Sequence, residues 1–260
     1  MLHHEISGNG KKPLVLLHGF MENTIIWDEM EAHLSKDFTL IKIDLPGHGK
    51  SKVYQEIHTV ELMAEKVKEV IDALKLEKIN LLGHSLGGYV SLAFAEKFPE
   101  ILESMTLFFS TTVADDDEKK QIRRRSIAVI DENFETFVKT SIPNLFSNNE
   151  KDILEGKIEL AKNIAKSTDK EGVKAAQLGM AERPDRTEIL ENLDAKILII
   201  AGKYDNAVKT ENLLKIIPEK TNIKTYVLDC GHNGHWEKPT ICAEIINTEL
   251  LHNLPKHFLL

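Results

Sequence analysis

The chain has 260 residues, 42% of them hydrophobic and 28% charged, with a formal net charge of −8. That balance fits one globular core, and an acidic chain with no basic stripe argues against nucleic acid as a partner. No apolar run approaches the roughly 20 residues of a membrane helix, the segment 1–8 lacks a secretory pattern, and two cysteines (Cys230 and Cys242) make no disulfide framework, so cytoplasm is the expected compartment and no membrane is expected as a partner.

His3-His4 reads as part of an exposed strand. The first core strand is the apolar run Leu14–Leu17, followed by the loop His18-Gly19-Phe20-Met21. A second strand, Leu40–Ile43, runs into Asp44-Leu45-Pro46-Gly47-His48-Gly49-Lys50-Ser51. Val60, Met63, Ala64, Val67, Val70, Ile71 and Leu74 then fall on one helical face. Strand Ile79–Leu82 leads into Gly83-His84-Ser85-Leu86-Gly87 and a helix through Tyr89–Ala95, and strand Met105–Phe109 comes next. The last two strands are Ile197–Ile200, running into Gly202-Lys203-Tyr204-Asp205, and Tyr226–Leu228, running into Asp229-Cys230-Gly231-His232. Most of these runs are apolar on both faces, as in parallel strands covered by helices above and below, and alternation with helices predicts a doubly wound, mostly parallel α/β sheet.

The alternation stops between about Thr112 and Leu190, where amphipathic segments at Ile122–Ile130, Phe134–Val138 and Ile153–Ile164 carry no strand. An excursion of that size is too long for a loop. It predicts an inserted helical cap over residues 112–189, with the core formed by 1–111 and 190–260.

A G-x-S-x-G between a strand and a helix is a nucleophile elbow: a tight turn holds the serine Oγ at the carboxyl edge of the sheet, with a helix N-terminus behind it. Ser85 is therefore the candidate nucleophile. A serine hydroxyl needs an adjacent base, itself oriented by a carboxylate. Asp205 and His232, each just past a later strand, are expected at the same sheet edge. Asp115, Asp116 and Asp117 are rival acids, set further beyond their strand. His235 is expected at the entrance or as a cap on the last helix. Developing oxyanion charge calls for preorganised N–H donors, expected from the Leu86 amide at a helix start and the Phe20 amide in the loop that Gly19 folds back.

Taken together, His18-Gly19-Phe20, Asp44–Ser51, Gly83–Gly88, Gly202–Asp205 and Gly231-His232 with Glu237-Lys238-Pro239 resemble, in order, the α/β-hydrolase superfamily and its small capped serine hydrolases. The resemblance covers about residues 12–110 and 190–250. It implies Ser85 as nucleophile, His232 as base, Asp205 as orienting acid, Phe20 and Leu86 as oxyanion donors, and a structural role for the loop that holds His48. Enol-lactonase-like enzymes, biotin-pathway methyl ester esterases and carbon–carbon bond hydrolases are the nearest in general appearance. Serine at the elbow excludes the aspartate-bearing dehalogenase and epoxide hydrolase branches.

The expected activity is hydrolysis of a small to medium carboxylic ester through an acyl-enzyme, with a small-molecule ester as partner and no metal or organic cofactor. A lactonase, thioesterase, carbon–carbon bond hydrolase or lyase would use the same residues, and a ligand-sensing, receptor-like role is the alternative of another class. Met21, Trp27, Phe134, Phe137, Phe146, Met180 and Trp236 are available to wall an acyl pocket, with Trp236 and Met21 expected against substrate. Successive helical residues rotate by about 100°, so Arg123, Arg124 and Arg125 cannot all face one ligand; a solvated helix end accounts for the run, and one arginine reaching inward to pair with a substrate carboxylate is the alternative.

Overall fold

A computed structural model describes residues 1–34 and 36–251. In chain order the first half comprises β1 (His4–Ser7), β2 (Lys12–Leu17), α1 (Asp28–Leu34), β3 (Phe38–Ile43), α2 (Val60–Ala73), β4 (Ile79–His84), α3 (Leu86–Lys97) and β5 (Leu102–Phe108). Then follow α4 (Asp117–Ser141), α5 (Glu155–Ser167), α6 (Lys170–Glu182), α7 (Glu188–Asn192), β6 (Lys196–Gly202), α8 (Thr210–Leu214), β7 (Ile223–Leu228), α9 (Gly234–Glu237) and α10 (Pro239–Leu251).

All six strands expected from the apolar runs are present. The strands form one sheet in the order β1-β3-β2-β4-β5-β6-β7, parallel throughout except for β1, which pairs antiparallel with β3 (His4 opposite Ile43). β5 stops one residue short of expectation. Phe109 takes φ 49°, outside the strand region, and its N–H donates to the Ile200 carbonyl at 2.7 Å.

Side-chain alternation divides the core in two. Val15 and Leu17 join Val67, Ile71 and Val90 of α2 and α3 on one face, while Leu14 and Leu16 join Met30 of α1 and Ile246 of α10 on the other. The α2 stripe starts cleanly because the Thr59 side chain caps the Leu62 N–H, and its Val60, Met63, Ala64, Val67, Val70 and Ile71 are all buried. Burying each of the larger side chains is worth about 1.5–3 kcal/mol. α3 is instead buried all round from Leu86 to Ala95. It lies so close to β2 that a Cβ at Gly87 would collide with the Leu17 carbonyl oxygen.

Between β5 and β6 come only helices. Non-helical backbone at Asn133 divides α4, and the Asn133 side chain accepts from the Thr136 N–H at 2.9 Å to restart the second half. α6 lies flat on the loop before α2: its Ala175 carbonyl accepts from the His58 N–H at 3.0 Å. A Cβ at Gly172 or Gly179 would collide with the Gly47 or His58 carbonyl oxygen. Among the described residues no helix is long and apolar enough to cross a membrane.

Candidate active site

The connections from β2 and β4 leave the sheet in opposite directions, one toward β3 and the other toward β5. That reversal opens a crevice at the strands' carboxyl ends, where ligands of open α/β sheets bind. The loop 18–21 follows β2, Ser85 follows β4, and Asp205 and His232 follow β6 and β7.

Ser85 adopts φ 50°, ψ −110°, a conformation that L side chains rarely take. Its own N–H donates to the Phe108 carbonyl (3.0 Å), and its carbonyl accepts from the Ser110 hydroxyl (2.8 Å) and the Gly88 N–H (2.9 Å). These bonds hold the strained turn. The Ser85 Oγ then lies 2.8 Å from His232 Nε2, and His232 Nδ1 lies 2.7 Å from Asp205 Oδ2. Asp205 Oδ1 accepts from the Ala207 and Val208 amides, both at 2.8 Å.

With an ionised Asp205 the imidazole hydrogen sits on Nδ1, which leaves Nε2 free to accept from serine. Burial alone would lower the pKa of His232, but the attraction and hydrogen bond of Asp205, with help from Glu22, raise it above its ordinary value. Burial likewise pushes Asp205 up, and His232 together with the two amides more than reverses this.

The Phe20 and Leu86 amides donate to no protein acceptor among the described residues. Leu86 follows Ser85 as the first residue of α3, and Phe20, in the turn after β2, lines the same cavity as Ser85. That turn is closed by the Glu22 N–H donating to the Gly19 carbonyl (3.3 Å), and Met21 takes φ 58° within it.

Ser85 and His232 open into a cavity of about 740 Å³. Met21, Ile122, Phe137, Leu145 and Met180 supply apolar walls, and Arg123, Arg183 and Lys119 stand at a polar end. Asp115 accepts from Arg183 at 2.8 Å and from Arg123, and has Lys119 at 3.7 Å. It is thereby committed to three cations, and no bond joins it to His232. Arg123 is the inward-facing member of the arginine run, with Gln177 Oε1 as a second partner at 3.1 Å.

Two expectations for substrate contact need correction. Trp236 is buried, stacks on Phe146 (6.0 Å, 3° between planes) and does not line the cavity. His235 is fully buried beside Trp27 and His84, neither at the entrance nor bonded through either ring nitrogen. The single turn of α9 directs both rings into the core. Trp27, Phe134 and Phe146 also stay out of the cavity, whereas Met21, Phe137 and Met180 line it. His48 is buried, with Nδ1 3.0 Å from the Pro46 carbonyl, away from the reacting groups.

Sequence reasoning missed Glu22, His84, Arg183 and Gln177 on the cavity wall. His84 occupies the variable second position of G-x-S-x-G, and Glu22 lies just past the loop, so neither carries a pattern of its own. Arg183 and Gln177 belong to the helical excursion, where position along the chain says little about direction.

The profile of the alpha/beta hydrolase fold family matches residues 12–239. A thermophilic esterase from Thermogutta terrifontis, solved with malate bound, superposes with a TM-score of 0.90 at 32% identity over 96% of this chain and 93% of that one. A putative 2-succinyl-6-hydroxy-2,4-cyclohexadiene-1-carboxylate synthase of Bacillus subtilis is 28% identical over 256 residues, covering 92% of this chain and 90% of that protein. The 2-hydroxy-6-oxononadienedioate/2-hydroxy-6-oxononatrienedioate hydrolase of Escherichia coli is 26% identical over 255 residues, 91% of this chain and 86% of its own. With a match that spans most of its length and the sheet order to go with it, this chain belongs to the alpha/beta hydrolase fold family.

Proposed function

We propose that the chain is a serine hydrolase acting on a small to medium carboxylic ester through an acyl-enzyme on Ser85. The observation that carries this reading is the continuous hydrogen-bonded series Ser85–His232–Asp205 at the mouth of a cavity. His232 Nε2 takes the hydroxyl proton as Oγ bonds to the ester carbonyl carbon, and the tetrahedral oxygen rests on the Phe20 and Leu86 amides. Collapse breaks the bond to the alcohol, which leaves with the proton from His232. Water then gives a proton to His232, attacks the acyl carbon, and Ser85 departs with that proton restored. Residues 112–189 serve as the cap that closes the cavity from above.

A carbon–carbon bond hydrolase is the second reading. It is favoured by the dienedioate hydrolase among the relatives and by the cationic end of the cavity, where one Asp115 carboxylate serves Arg123, Arg183 and Lys119. Asp116 and Glu118 also line the cavity, so the charge there is mixed, and the guanidinium of Arg123 is the group placed to meet a substrate carboxylate in either case.

A fluorophosphonate probe tests the nucleophile, and labelling confined to Ser85 is the expected result; a folded protein that resists labelling overturns the hydrolase reading. Turnover on a matched set of ester, thioester, lactone and vinylogous diketone then separates the activities. Slow single turnover with retained product would favour the ligand-sensing role instead.

A further inference from the structure

Behind the proposed nucleophile lies a buried polar cluster that the ester mechanism leaves unused. His84 Nδ1 is 2.8 Å from Glu22 Oε2, and its Nε2 is 3.0 Å from the backbone carbonyl of His232. The same Glu22 Oε2 accepts from the Gly19 N–H at 2.6 Å. Both residues are buried, His84 at 1% exposure and Glu22 at 7%.

We infer that His84 and Glu22 form an internal ion pair, with the imidazole protonated at both nitrogens, that ties the Gly19–Glu22 turn to the His232 loop and cancels the carboxylate charge beside the oxyanion site. The inference rests on Ser85 and His232 being nucleophile and base. His84 and Glu22 act as positioning residues, since neither exchanges a proton with the reacting atoms.

The hydrogen count carries the argument. A carboxylate oxygen and a backbone carbonyl can only accept. Beside an ionised Glu22, whose Oε2 already accepts from the Gly19 N–H, a neutral ring with its one N–H would leave one of the two buried contacts lone pair against lone pair. The doubly protonated ring satisfies both.

The neighbours do not offer another cation. His18 accepts from the Leu45 N–H at Nε2 (2.9 Å), which leaves its hydrogen on Nδ1 facing the Gly19 carbonyl (2.7 Å), a neutral ring. His235 Nε2 is 3.8 Å from Glu22 Oε1, but burial keeps its pKa well below the ordinary value and neither nitrogen is bonded. His232, the remaining ring against His84, must be neutral to accept from Ser85. Glu22 itself would be raised by burial, yet the attraction and hydrogen bond of His84 hold it below its ordinary value.

The pairing matters because of where Glu22 lies. Its carboxylate holds the amide adjacent to Phe20, so an uncompensated charge there would oppose the negative oxygen that the Phe20 amide is to receive. A cation bonded on one side to that carboxylate and on the other to the His232 backbone removes the opposition and sets the spacing of the two loops.

The test compares wild type, His84→Gln, Glu22→Gln and the double variant, with circular dichroism and melting as the check on folding. Fluorophosphonate labelling rate and kcat are read together with KM. His84→Gln should lose about a hundredfold in labelling rate and kcat with KM little changed. Adding Glu22→Gln removes the stranded carboxylate and should recover at least about tenfold of that loss. Nitrogen–proton correlation spectra of the histidine rings around neutral pH should show His84 with two N–H groups in wild type and one in Glu22→Gln. A wild-type His84 with a single proton, a His84→Gln protein that labels at the wild-type rate, or a double variant no faster than His84→Gln would overturn the inference. Should His84→Gln fail to fold, the ring spectra of wild type and Glu22→Gln still decide. Because those spectra are independent of turnover, a wild type that resists the probe while His84 is doubly protonated would sink the nucleophile assignment and leave the ion pair standing.

Discussion

Glu237 holds the His232 loop in place from below: its Oε2 accepts from the Gly231 N–H at 2.9 Å and the Ser147 N–H at 3.1 Å, and its Oε1 from the Asn233 N–H at 3.2 Å. One buried carboxylate thus gathers the amides on both sides of His232 and one from the segment after α4. Burial raises its pKa despite those three bonds. Glu237→Gln replaces one accepting oxygen with a donor that faces an amide hydrogen, and should cost about 1–3 kcal/mol. Chemical denaturation checks the stability, and a parallel fall in probe labelling would show that the loop carrying His232 has shifted.

Ser85→Ala removes the Oγ but none of the backbone bonds that hold the turn, so stability should change by no more than about 1 kcal/mol. Covalent labelling and any ester burst should vanish. A surviving burst measured by stopped flow would point to another nucleophile.

Asp205→Asn should lower kcat by about four orders of magnitude, because an amide in place of the carboxylate favours the wrong imidazole tautomer. Steady-state kinetics on the best ester found in the substrate screen provide the measure. A loss below about tenfold would show that His232 is oriented by something else.

His232 must be neutral to take the serine proton, and Asp205 holds its pKa above the ordinary 6.5. Below the raised value the ring is imidazolium and cannot accept. The kcat/KM profile should therefore fall on the acid side with a midpoint above 6.5, and recover as pH rises. In Asp205→Asn the residual activity should show its acid limb at lower pH, since the main raising influence has gone. A pH profile of both proteins reads the shift directly.

Arg123 and Arg183 face the cavity with only one carboxylate between them. Arg123→Gln should raise KM for esters with a free carboxylate by about tenfold relative to their neutral methyl analogues, with kcat little affected. Equal KM changes for both substrate types would remove charge from the account of specificity.

The parts of the site legible in the sequence are those fixed by strand ends. Asp205 and His232 stand just past apolar runs, and parallel pairing carries those ends to one edge whatever the helices do. Chain position did not give direction beyond the first residue or two of a loop. Trp236 and His235 belong to the same stretch as His232, yet one turn of helix points them into the core. Glu22 and His84 are 62 residues apart in sequence, and neither is unusual until β2 and β4 are paired. In the helical region the amphipathic segments Ile122–Ile130 and Phe134–Val138 are separate in the sequence, and the non-helical Asn133 lies in the gap between them. Which of its polar residues reach the cavity depends on how α4 and α6 are rotated, a matter of tertiary packing rather than periodicity.

The seam where Gly172 and Gly179 meet the Gly47 and His58 backbone has room for hydrogen atoms and nothing more. α6, which carries Gln177 and Met180 on the cavity lining, is therefore held against that seam and cannot be shifted one substitution at a time. Directed evolution toward bulkier esters would instead accumulate changes along α4, at Ile122, Ser126 and Phe137, and leave both glycines untouched.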